Sequence, residues 1–110
     1  MKKAIFIICM ALFACGEEKM PENVYPEDEM VKILIEVHLL EAKIQKLYIA
    51  RDSSQILYQH YEKKLFEELD VDREKYNNSM IYYVDNGYKM SDIYDRVVDS
   101  LLLQQQTLSD

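Results

Sequence analysis

"PEDEMVKILIEVHLLEAKIQKLYIA", Pro26 to Ala50, decides the fold. It opens with a proline and three acids, which suit a helix start: the missing N–H is no loss there, and acids complement the dipole. Met30, Ile33, Leu34, Val37, Leu40, Ile44 and Leu47 then follow the spacing of one helical face. Val31, Ile35 and Leu39 widen that stripe beyond half the circumference. A helix so apolar either lies at the centre of a bundle or is partly covered by another chain.

Working toward the C-terminus, no proline follows Pro26, and Gly87 is the one glycine of the domain. "RDSSQ", Arg51 to Gln55, is a break in which Asp52 to Ser54 offer caps. A second helix is predicted over Ser54 to Leu69, with Leu57, Tyr58, Tyr61, Leu65 and Leu69 inward. Asp70 to Asp72 forms a turn, and Asp72 caps a third helix with Tyr76, Met80 and Tyr83 on one face. "DNG", Asp85 to Gly87, stops it, with Asn86 or Gly87 suited to the left-handed conformation. The fourth helix turns Met90, Ile93, Tyr94, Val97 and Leu101 inward, and Ser91, Asp92, Asp95, Arg96, Asp99 and Ser100 outward. The prediction is an all-α bundle of about four helices over residues 27–106, with 107–110 as a fraying tail.

Working toward the N-terminus, Lys2 and Lys3 precede the unbroken apolar run Ala4 to Phe13. Ten residues are too few for a helix that must cross roughly 30 Å of hydrocarbon, but they fit the apolar core of a secretory signal peptide. The run closes as Leu12-Phe13-Ala14-Cys15, which resembles the bacterial lipobox, with a bulkier residue than usual at Phe13. The resemblance implies cleavage of residues 1–14 and acylation at Cys15. Cys9 would leave with the signal peptide, so the mature chain would hold no disulfide and no free thiol. Several acyl chains on one residue make a durable anchor, where a single chain binds only reversibly. The covalent lipid is the one non-protein group expected; no cofactor is.

Residues 15–26 read as the lipidated cysteine and a flexible acidic tether. Its eleven residues from Gly16 to Pro26 span at most about 36 Å. Glu17 and Glu18 resemble the acidic surface-export signal of Bacteroidota lipoproteins, although Gly16 stands where that signal carries Lys, Ser or Gln. The expected location is the outer membrane, facing the periplasm, with the cell surface as the other destination. Loss of residues 1–14 removes two of the 13 basic residues and none of the 20 acidic ones, moving the formal charge from −7 to −9. Such a chain repels phosphate backbones, so nucleic acid is not an expected partner.

"EDEMVKILIEVHLLEAKIQ" and, from Tyr61, "YEKKLFEELDVDREKYNNSMIYYVDNGYKMSDIYDRVVDSL" carry a further resemblance. Met30, the Ile33-Leu34-Ile35 run, His38, Glu41-Ala42, "KKLFEEL", Ser79, Tyr82-Tyr83 and "IYDRVVDSL" resemble the domain of unknown function 4296 family. The likeness spans Pro26 to Leu103. It implies a small helical lipoprotein of Bacteroidota, in a family without an assigned activity. The family's second helix often ends in a Tyr-Gly turn, where this chain has Leu69-Asp70.

Residues able to carry chemistry are few. His38 and Glu41 share a helix face and would form half of a Glu/His metal site, but His60 does not supply the second Glu-x-x-His, so no metal is expected. A local hydrogen bond of His38 to Glu41 or a tyrosine accounts for the pair. "DVDREKYNNSMI", Asp70 to Ile81, opens like a calcium loop but has Lys75 where glycine belongs and Ile81 where a bidentate Glu belongs. Ser79 has no adjacent histidine, and neither a nucleophile elbow nor a Gly-rich phosphate loop is present. Asp99-Ser100-Leu101 resembles a short O-glycosylation signal, placed mid-helix. Tyr82 and Tyr83 are adjacent, so both cannot face one core, and one of them is expected to meet a partner.

The reading that follows is not an enzyme but a membrane-anchored lipoprotein that serves as an accessory subunit or adaptor. Helix one, with His38 and Glu41, and the Tyr82-Tyr83 region are its expected protein-binding residues. A holdase-like module that binds unfolded clients in the periplasm is the alternative.

Overall fold

The computed structural model describes residues 20–109. Four helices follow one another: α1 (Glu27–Gln45), α2 (Arg51–Leu69), α3 (Arg73–Asp85) and α4 (Gly87–Ser109). No strand occurs among the described residues. The all-α expectation therefore holds, and α4 is helical as far as Ser109.

α1 is the centre of the fold. It packs against both α2 and α4, while α3 packs on α4. Met30, Val31, Ile33, Leu34 and Val37 of α1 meet Phe66 of α2, Tyr83 of α3, and Ile93 and Val97 of α4 in one core. Two neighbours on different sides explain the wide apolar stripe, since a helix flanked twice needs more than one buried face. Leu47 lies beyond the end of α1 and is exposed.

The core also takes in residues before α1. Val24 and Tyr25 are buried, and Met20 packs against them, so 20–25 is a strap of the domain rather than the end of a tether. Sequence composition hid this because two apolar residues among prolines and acids show no period.

The connections depart from expectation in two places. α2 begins at Arg51, three residues early, with Ala50 as its uncapped N-terminus. The Ala50 carbonyl accepts the Ser54 N–H at 2.9 Å, and the Ser54 hydroxyl donates back to the Arg51 carbonyl at 2.8 Å instead of capping. At the end of α2, Asp70 takes the left-handed conformation (φ 56°), and the Val71 N–H reaches the Phe66 carbonyl at 2.8 Å. This is a Schellman closure with aspartate in the place where glycine would sit without strain, so Leu69-Asp70 still makes the turn. The expected Asp72 cap is present, its Oδ2 accepting the Lys75 N–H at 3.2 Å.

The second departure is at "DNG". Neither Asn86 nor Gly87 is left-handed. Asn86 bends the chain by itself: its N–H bonds the Tyr82 and Tyr83 carbonyls, its Nδ2 bonds Tyr82, and its own carbonyl accepts from Lys89 and Met90. Gly87 is simply the first residue of α4, and a Cβ there would meet nothing within 4 Å. Gly87→Ala is therefore expected to stabilise the domain by about 0.4–1 kcal/mol, by restricting the unfolded chain. A lower urea midpoint for this variant would contradict the assignment.

Candidate functional site

The sequence-derived residues fall into two separate places. His38 and Glu41 sit on α1, both partly buried, with His38 Nδ1 3.3 Å from Glu41 Oε2. The imidazole lies against Tyr94 of α4, ring centroids 5.9 Å apart. This is the local arrangement that needs no metal, and no three His, Cys, Asp or Glu side chains converge on a metal-binding position among the described residues. His60 is exposed and rests edge-on against Tyr61.

Glu41 also opens onto a groove between the C-terminal half of α1 and the length of α2. Ile44, Tyr58, Phe66 and Val71 contribute its apolar surface. Glu62 is the best-held carboxylate there, with Arg73 Nη2 2.6 Å from its Oε1. The Arg73 guanidinium covers the Phe66 ring at 4.7 Å, and Phe66 meets Tyr76 edge-on at 5.0 Å. Burial, then the Glu62 hydrogen bond and charge, push the Tyr58 phenol well above its usual pKa. Burial and Glu62 push Tyr76 up to about 12. These phenols remain neutral at physiological pH, acting as hydrogen-bond donors and apolar surface rather than as bases. None of Tyr58, Glu62, Phe66 and Arg73 was expected from sequence to line a site. The "KKLFEEL" run named the helix, and of the expected inward face Leu57, Tyr58 and Leu65 are half-buried, with Leu65 against the core. Phe66 alone is fully buried on α2, while Tyr61 and Leu69 are exposed.

The second place holds Tyr82 and Tyr83. Tyr83 has no exposed surface, and its hydroxyl donates to the Tyr25 carbonyl at 2.7 Å. It is a core residue, which corrects its assignment to a partner surface. The adjacency argument leaves Tyr82, which is half-buried, edge-on to Tyr83 at 5.1 Å, with the Lys89 ammonium 3.3 Å from its hydroxyl. Ser79 is buried beside Tyr83 and its hydroxyl is fully used: it accepts the Tyr25 N–H at 2.8 Å and donates to the Lys75 carbonyl at 2.7 Å. The Tyr25 hydroxyl in turn accepts the Asp72 N–H at 2.9 Å. Ser79, Tyr83 and Tyr25 thus form a knot that ties the strap to α3. Ser100 is half-buried within α4. Cys15 lies outside the described residues.

The fold and these contacts define a small helical domain with an open groove between α1 and α2. The family model described as "Domain of unknown function (DUF4296)" matches residues 21–107, and the chain belongs to that family. The match begins at the strap, in agreement with the burial of Val24 and Tyr25. No curated protein and no solved structure matches the chain. No helix of the described residues is long and apolar enough to cross a membrane.

Proposed function

We propose that this protein is a bacterial lipoprotein anchored through Cys15, and that it works without catalysis as an accessory subunit or adaptor of an outer-membrane or periplasmic assembly. The observation that carries this reading is the amount of apolar surface left outside the core. Among the described residues thirteen large apolar side chains are exposed, against twelve buried ones. Scattered single residues would mean little, but contiguous apolar patches mark interaction sites. Leu47, Tyr48 and Ile49 are consecutive and exposed, as are Leu102 and Leu103 of α4.

The anchor gives that surface a direction. Cys15 is five residues before Met20, at most about 17 Å of chain. The strap enters α1 at its N-terminal end, and Leu47 to Ile49 lie past the other end, about 28 Å away along a 19-residue helix. A lipid at Cys15 would hold the strap near the bilayer and present the α1–α2 connection to a neighbour. Cys15→Ala is expected to abolish incorporation of labelled fatty acid and release the protein from the membrane fraction. The tagged full-length lipoprotein, gently extracted, is expected to co-purify with one partner at fixed stoichiometry. Many exported proteins at low occupancy would sink the adaptor reading in favour of client binding.

A further inference from the structure

The groove between α1 and α2 has a volume of about 1240 Å³ and is open along its length. Small-molecule sites are typically about 300–1,000 Å³ and largely enclosed. Along α2 it runs from Ser54 to Asp70, about 24 Å, the length of a helix of some 16 residues. Its walls are uneven in a telling way. α2 has 19 residues and fully buries only Phe66, so one of its faces is left with little covering it. Glu41, Glu62, Glu67 and Asp70 line the groove against two cations, Lys63 and Arg73, and Arg73 is already engaged with Glu62. At the end where Gln45 and Ser54 line it, the connecting loop holds Tyr48 94% exposed on a left-handed backbone (φ 51°).

We propose that this groove is the docking site for an amphipathic basic helix of a partner protein. The proposal rests on the adaptor reading and names the partner's chemistry. An open groove along two helices is completed most simply by a third, whose apolar residues recur at i, i+3, i+4 and i+7. The half-exposed Tyr58 and Val71, with the edges of the nearly buried Ile44 and Phe66, receive that stripe, and lysines or arginines flanking it meet Glu41, Glu67 and Asp70. A second copy of this chain is the poorer occupant, because its net charge of −7 brings like charges together.

The test uses the full-length lipoprotein in neutral detergent and a fluorescent helix-forming peptide of about 16 residues. The peptide carries leucines at i, i+3, i+4 and i+7 with lysines on the flanking positions. Anisotropy is expected to show saturable binding that weakens about tenfold or more when the lysines become glutamates, and similarly when the leucines are scrambled. Glu41→Lys with Glu67→Lys is expected to weaken binding by about tenfold, whereas Asp92→Lys with Asp95→Lys on α4 changes it less than about twofold. Glu67→Gln with Asp70→Asn, which preserves the left-handed turn, should weaken it about threefold and guards against a folding defect in the reversal. Equal weakening by the groove and α4 reversals, or undiminished binding of the scrambled peptide, would overturn the proposal. So would a groove-dependent homodimer in sedimentation. If a stoichiometric membrane partner stays bound to the Glu41→Lys/Glu67→Lys protein, the groove proposal falls and the adaptor reading stands. If the peptide binds as expected but the native membrane yields no partner, the adaptor reading falls and the groove assignment survives.

Discussion

Tyr83→Ala is expected to cost the domain about 3–5 kcal/mol, the range for removing a fully buried aromatic ring. Tyr83 is without exposed surface and touches every layer of the knot: Tyr82 at its edge, the Tyr25 carbonyl at its hydroxyl, and the α1 and α4 core around its ring. Domains of this size are stable by only about 5–15 kcal/mol, toward the lower end for a core this small. The variant should therefore be largely unfolded at 37 °C, or show a urea midpoint reduced by half or more. Tyr83→Phe separates the ring from the hydroxyl. It keeps the packing and leaves the Tyr25 carbonyl without its donor, which costs about 1–3 kcal/mol. Urea unfolding followed by far-ultraviolet circular dichroism measures both. A loss under about 1 kcal/mol for Tyr83→Ala would mean that the strap and α3 are not joined as described.

That knot is also where reading from sequence stops. Helix α1 and the heart of α4 were legible because Met30, Ile33, Leu34 and Val37, and then Ile93 and Val97, repeat at helical spacing and are buried as that spacing requires. α2 was legible as a helix but only in part in its orientation. Its main packing is on α1, with side-chain contacts to Arg73 and Tyr76 of α3, and with one fully buried side chain it has no strong stripe to fix its rotation. The strap was illegible for a different reason. Its burial depends on partners 54 and 58 residues away, Ser79 and Tyr83, and no local pattern announces a contact at that separation.

The turns divide in the same way. Asp72 capped α3 as its residue type suggests, because a side-chain cap is a local interaction. Gly87 did not take the left-handed role its identity suggests. Asn86, whose backbone and side chain serve both helices, already satisfies their ends. His38 and Glu41 were found together as their three-residue spacing requires, but the groove beside them depends on how α2 lies against α1. A functional assignment from the chain alone could therefore name one wall of the groove and not the other.

The same buried phenols predict a steep alkaline transition. Tyr83 is pushed up to about 12, first by burial and then by the Glu27 charge, with Lys89 partly opposing. Tyr76 is also pushed up to about 12, and Tyr58 is raised further. In the unfolded chain each ionises near about 10. The folded pKa values are the higher ones, so the folded state holds its phenolic protons where the unfolded state has released them. The associated stability is complete below about pH 10 and is lost as pH rises toward about 12. Two units at about 1.4 kcal/mol each give roughly 2–3 kcal/mol for the fully buried Tyr83, with a smaller share from Tyr76, which is partly open to solvent. Their sum approaches the whole stability of a small domain, so cooperative unfolding is expected inside that window. Tyrosinate absorbance and circular dichroism recorded together provide the check. The tyrosinate absorbance of Tyr58, Tyr76 and Tyr83 should appear only as helix is lost. In Tyr83→Phe the loss of stability between neutral and alkaline pH should shrink, because one of the linked protons is gone. If Tyr58, Tyr76 and Tyr83 ionise near pH 10 while the helical signal is unchanged, the buried environment assigned to them is wrong.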